Sequence, residues 1–60
     1  MPYQILVVDD NDLNRSLIAK ILELESYQVT LARNGTEAIQ AVTHAMPDLA
    51  ILDVMMPDMD

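Results

Sequence analysis

The sequence predicts an α/β fold built on a parallel sheet, and three observations carry that prediction. Two aliphatic runs, Ile5-Leu6-Val7-Val8 and Leu49-Ala50-Ile51-Leu52, each end in acid, at Asp9-Asp10 and at Asp53. Both runs are short, rich in Val, Ile and Leu, and followed by turn residues, which is how parallel strands buried on both faces read in sequence. Between them, strand-like and helix-like patterns alternate in the order strand, helix, strand, helix, strand.

The elements follow in order. The first strand, β1, is expected over residues 5–8. Asn11-Asp12 then starts a helix, α1, because a short polar side chain caps the free N–H groups of a first turn. Leu13, Leu17, Ile18, Ile21 and Leu22 recur at helical spacing, with Asn14, Arg15, Lys20 and Glu23 on other faces, and the helix is expected to end between Leu24 and Ser26. Gln28-Val29-Thr30-Leu31-Ala32 alternates polar and apolar residues and reads as the second strand, β2. Asn34-Gly35 is a turn signal, but the periodicity after it is helical, so it opens a second helix, α2, rather than a hairpin. Thr36 is the expected cap of α2, and Ala38, Ile39, Ala41, Val42, Ala45 and Met46 its apolar face. Pro47 is its expected stop, since proline lacks an N–H and disfavours helical geometry in the residue before it. Residues 49–52 form the third strand, β3.

Strands that alternate with helices pair in parallel through right-handed crossovers. The expected arrangement is β1α1β2α2β3 with spatial order 2-1-3 and one helix on each face. Strands β1 and β3 are then neighbours, and their carboxyl ends flank the switch point where open α/β sheets bind ligands. Asp9, Asp10 and Asp53 are expected to converge there.

Composition narrows the class. Sixty residues hold one small domain, and at that size only about 60% of the unfolded chain's surface is buried on folding. With no Phe, no Trp and only Tyr3 and Tyr27, the core must be aliphatic, with Met as filler. There is no Cys, so neither a disulfide nor a thiolate metal site is available, which suits a reducing cytoplasmic setting. Ten acidic residues against Arg15, Lys20 and Arg33 give a net charge of −7. That balance argues against direct nucleic-acid or anionic-membrane binding by this segment and favours cations or a basic partner. No apolar stretch approaches the ~20 residues of a membrane span, and the first residues lack a signal-peptide pattern.

Three converging carboxylates repel one another and call for protons, separation or a cation. An all-oxygen set with no His or Cys beside it favours a hard ion. Mg²⁺ suits it best, being usually held by one or two carboxylates with waters and phosphate oxygens. Such an ion would stabilise charge on a phosphoryl group passing to a neighbouring carboxylate, a recognised acceptor.

With these residues in place the chain resembles the receiver domain of two-component response regulators. The resemblance lies in Ile5-Leu6-Val7-Val8 with Asp9-Asp10-Asn11, in Gly35-Thr36-Glu37-Ala38, and in the segment from Pro47 through Asp53 to Asp60. It covers essentially the whole chain and implies a flavodoxin-like fold, of which this sequence supplies the amino-terminal half, residues 1–60. Residue by residue it implies that Asp53 is the phosphoacceptor, with a histidine kinase or phosphotransfer protein as donor. It also implies that Asp9 and Asp10 hold Mg²⁺ beside Asp53, that the backbone carbonyl of Met55 is a further ligand, and that Pro57 shapes the loop. A complete receiver is about twice this length, a common domain size. Its later half brings a Ser or Thr and a Lys to the phosphoryl group, and neither has a counterpart here. Losing positioned donors of that kind costs orders of magnitude in rate, so phosphorylation of Asp53 is expected to be impaired in this chain.

The remaining residues have plainer expected roles. His44 reads as a solvated, helix-end histidine. Met46 reads as core, and Met55-Met56 as loop packing rather than a soft-metal site. Arg15 reads as solvated. Leu13, Leu17 and Ile18 read as core rather than as a partner-docking stripe. An apolar β3 at the sheet edge is an association hazard, so the chain is expected to form a homodimer or higher oligomer, or to be cut from a longer one. The alternative function is a self-assembling or protein-binding half-domain with a vestigial acidic site. A flavodoxin-like cofactor binder is disfavoured by the acids where a phosphate cradle should be. No enzymatic activity is expected.

Overall fold

A computed structural model describes residues 2–52. The elements run β1 (Gln4–Val8), α1 (Asp12–Leu24), β2 (Gln28–Ala32), α2 (Gly35–His44) and β3 (Leu49–Leu52). The sheet is parallel, in the order β2-β1-β3. In register, Ile5 stands between Val29 and Leu49, Val7 between Leu31 and Ile51, and Val8 between Ala32 and Leu52.

The side chains of a strand alternate between faces, so β1 divides its aliphatics between the two sides. Leu6 and Val8 join Ala32 in a cluster covered by Ala38, Ala41 and Val42 of α2. A groove lined by Ile5, Ile51 and Leu22 of α1 lies on the other side. One helix therefore covers each face, as expected. Both pack on β1 and β2, and among the described residues neither reaches β3. Ile5 to Val8 are buried, while Leu49 and Leu52 are exposed. The expectation that both acid-ended runs are buried on both faces thus holds for β1 and fails for β3. Burial on two faces needs two covering layers, and among the described residues β3 has neither.

Local chemistry explains the boundaries. Asn11 caps α1, its side chain accepting the Asn14 N–H at 2.8 Å. The carboxyl end of α1 closes in a Schellman pattern. Tyr27 N–H donates to Leu22 O at 3.2 Å and Ser26 N–H to Glu23 O at 3.0 Å. This puts Ser26 at φ 71°, left-handed backbone in which a Cβ is strained. Asp48 fastens β3 to β1 at the opposite end of the sheet. Its N–H donates to Gln4 O at 2.7 Å, and its carboxylate accepts the Gln4 N–H at 2.8 Å.

Several expectations about the helices are corrected. Asn34, not Thr36, caps α2, accepting the Glu37 N–H at 2.9 Å. The third residue of a helix presents the N–H that a cap reaches, and from Glu37 that reach leads back to Asn34. The helix stops at His44, and Ala45 is already extended (φ −155°, ψ 119°), so α2 ends before Pro47 constrains it. Met46 and Ile39 are exposed rather than core. Leu13 (80% exposed) and Leu17 also face outward. The apolar stripe of α1 is wider than the part of the sheet beneath it, and only Ala19 of that helix is buried.

Candidate functional site

The acidic end of β1 is built by the turn into α1. Asp9 continues β1, its N–H donating to Ala32 O at 3.1 Å, and its side chain is wholly buried. A buried carboxylate must have hydrogen-bond donors. Asn11 N–H donates to Oδ1 at 2.9 Å, and the Asn14 side-chain Nδ2 donates to Oδ2. Asp10 is the next residue and is exposed. One acid is thus locked inside the turn while its neighbour meets solvent.

Arg15 completes the turn. Its guanidinium donates to the Asp9 carbonyl at 2.7 Å and pairs with the Asp12 carboxylate. Only 11% of its side chain is exposed, so the expectation of a solvated arginine is corrected. At the start of α2, Glu37 accepts the Arg33 N–H at 2.8 Å and the Arg33 guanidinium at 2.8 and 3.1 Å. The side-chain bond from Arg33 holds the Glu37 carboxyl below the usual carboxylate range. The same pairing raises the Arg33 guanidinium further above neutrality.

Of the four residues expected to hold a metal, the described part contains Asp9 and Asp10. Asp53 and Met55 lie outside the described residues, as does Pro57. Val8 and Leu52, which precede Asp9 and Asp53 in sequence, are sheet partners. Among the described residues no group of three or more His, Cys, Asp or Glu gathers as a ligand set. His44 is exposed in the last turn of α2, and Asp9 stands where β1 leads into α1. The sequence pattern alone assigns no site role to Asn14 or Arg33. The available signal for Asn14 was its place three residues after the Asn11 cap, where a side chain can turn back over the preceding loop.

β1, covered on both faces, ends in a buried carboxylate beside an exposed one, at the end of a parallel α/β sheet where ligands bind. A family model described as the response regulator receiver domain matches residues 5–60, and the chain belongs to that family. It is 43% identical over 60 residues to the response regulator MprA of Mycobacterium sp. (strain KMS), covering all of this chain and 26% of that protein. It is 40% identical over 58 residues to the probable transcriptional regulatory protein TcrX of Mycobacterium tuberculosis, covering 97% of this chain and 25% of TcrX. It is 34% identical over 58 residues to the polar-differentiation response regulator DivK of Brucella anthropi, covering 97% of this chain and 47% of DivK. The chain therefore spans between about a quarter and a half of the length of these relatives. Receiver domains are signalling modules that work with histidine kinases or phosphotransfer proteins and generally use Mg²⁺. No helix among the described residues is long and apolar enough to cross a membrane.

Proposed function

We propose that this chain is the phosphoacceptor part of a two-component relay, with Asp53 as the acceptor and Asp9 and Asp10 as the cation side of the site. The observation that carries this reading is the fixed carboxylate of Asp9. It is buried, met by two N–H donors, and followed by an exposed second acid. The donor set is oxygen throughout, which fits Mg²⁺. Asp10 would offer the accessible carboxylate, and Asp9, with the Met55 carbonyl and Asp53, would complete the protein's share. Bound there, Mg²⁺ would supply charge neutralisation on the phosphoryl oxygens. A carboxylate oxygen of Asp53 attacks phosphorus in line. An O–P bond forms, the P–N bond of the donor phosphohistidine breaks, and the imidazole leaves with the bonding pair. The −7 charge leaves the segment no electrostatic footing on nucleic acid.

Intact mass after incubation with acetyl phosphate and Mg²⁺ tests the assignment. Wild type should gain one phosphoryl group, and Asp53→Ala should not. Identical spectra for the two would sink the acceptor role. A second reading is supported by β3, whose outer edge carries no partner strand among the described residues and whose Leu49 and Leu52 are exposed. On that reading the chain associates through β3 into dimers or larger oligomers. Sedimentation at micromolar concentration should then show a concentration-dependent mass, and a monodisperse monomer would refute it.

A further inference from the structure

Asn14 makes two bonds that tie the start of α1 to the acidic end of β1. Its main-chain N–H donates to Asn11 Oδ1 at 2.8 Å, and its side-chain Nδ2 donates to Asp9 Oδ2. The other oxygen of Asp9 accepts the Asn11 N–H at 2.9 Å. A carboxylate held at both oxygens is restrained about its terminal torsion, and among the described residues these two donors restrain Asp9. The first is main chain and insensitive to substitution. The second is the side chain of Asn14 and can be removed by substitution. Its amide is neutral and therefore orients the carboxylate without cancelling its charge, as an ammonium or guanidinium in that place would.

We propose that Asn14 is a positioning residue of the cation site, holding Asp9 in the orientation in which the Asp9-Asp10 pair receives a divalent cation. This inference rests on the reading of Asp9 and Asp10 as cation ligands. Because the same residue presents the N–H that Asn11 caps, the first turn of α1 and the cation site form one hydrogen-bonded unit. Groups that hydrogen-bond a ligating carboxylate typically weigh 10- to 100-fold in metal affinity.

Calorimetric titration with Mg²⁺ and with Mn²⁺ tests the role on wild type, Asn14→Ala, Asp10→Asn and Leu22→Ala. Asn14→Ala keeps the N–H that Asn11 caps and is a better helix former, so the loss is confined to the Nδ2 donor. Leu22→Ala weakens the packing at the far end of the same helix and reports on stability alone. Asn14→Ala should bind roughly 10-fold more weakly, Leu22→Ala as wild type, and the Asn14 side-chain amide resonances should move when cation is added to wild type. If Asp10→Asn loses affinity while Asn14→Ala binds as wild type, the positioning role is overturned and the cation reading stands. Equal weakening by Asn14→Ala and Leu22→Ala marks a stability effect and overturns it too. If wild type binds neither ion, or Asp10→Asn binds as wild type, the cation reading falls and the positioning role falls with it.

Discussion

β1 and β3 are written in nearly the same alphabet, Ile-Leu-Val-Val and Leu-Ala-Ile-Leu, and they have opposite fates. β1 lies between two strands and under two helices, and Val7 has no exposed surface at all. β3 is paired along one edge, no described helix covers it, and Leu52 is 61% exposed. The difference lies in position within the layers. It bears on function because the proposed site takes Asp9 and Asp10 from the end of β1 and Asp53 from the residue after β3. Asp9 follows the strand covered on both faces, and Asp53 follows one that no described helix covers.

The largest expected effect comes from taking equal volume out of each strand. Leu6→Ala should cost about 2–5 kcal/mol, a large part of the roughly 3–9 kcal/mol expected of a chain this size. Leu52→Ala should cost about 1 kcal/mol or less, as exposed substitutions do. Urea midpoints compare the two, and equal shifts would mean that another surface covers β3 in solution. Native-state amide exchange sharpens the same contrast, with β1 amides expected to exchange only through global unfolding and β3 amides sooner. Uniform protection across both strands would contradict it.

The helices cover β1 and not β3, so changes in them should act on one side of the contrast. Ser26→Gly relieves the left-handed backbone strain that ends α1 and should stabilise by about 1 kcal/mol, read as a higher urea midpoint. The smallest effect is electrostatic. The Glu37 carboxyl is lower in the folded chain than in the unfolded one. Its contribution is therefore present above the ordinary glutamate range and is lost as pH falls through the folded value. Wild type should be the more stable partner of Glu37→Gln at neutral pH, with the gap closing in acid and narrowing in salt. A gap that widened in acid would reverse the sign.

Much of the architecture was legible because it is periodic. The spans of β2 and β3, the amphipathic α1 and the order 2-1-3 follow from apolar spacing and from the rule that strands joined through helices pair in parallel. Caps were legible only in part. Asn11 stands out before the apolar repeat of α1, whereas Asn34 and Thr36 are equally good capping residues on paper. The backbone extended at Asn34 decides between them, because the capping residue lies outside the helical geometry that Thr36 has already joined. Of the candidate site, Asp9 and Asp10 were visible as acids ending a strand. The partners that hold Asp9 were not, since Asn14 and Arg15 read in sequence only as polar positions on a helix.

The sequence by itself determined the kind of elements, their order, the parallel sheet and the acids at its carboxyl ends, because these depend on local periodicity and chain connectivity. Only the tertiary structure decided which aliphatic strand is buried, which leucines of α1 face outward, and that Asn14 and Arg15 turn back to grip Asp9. Burial depends on the layers laid over an element, and a side chain's partners depend on where a turn delivers it. Neither is a property of a residue or of its immediate neighbours in the chain.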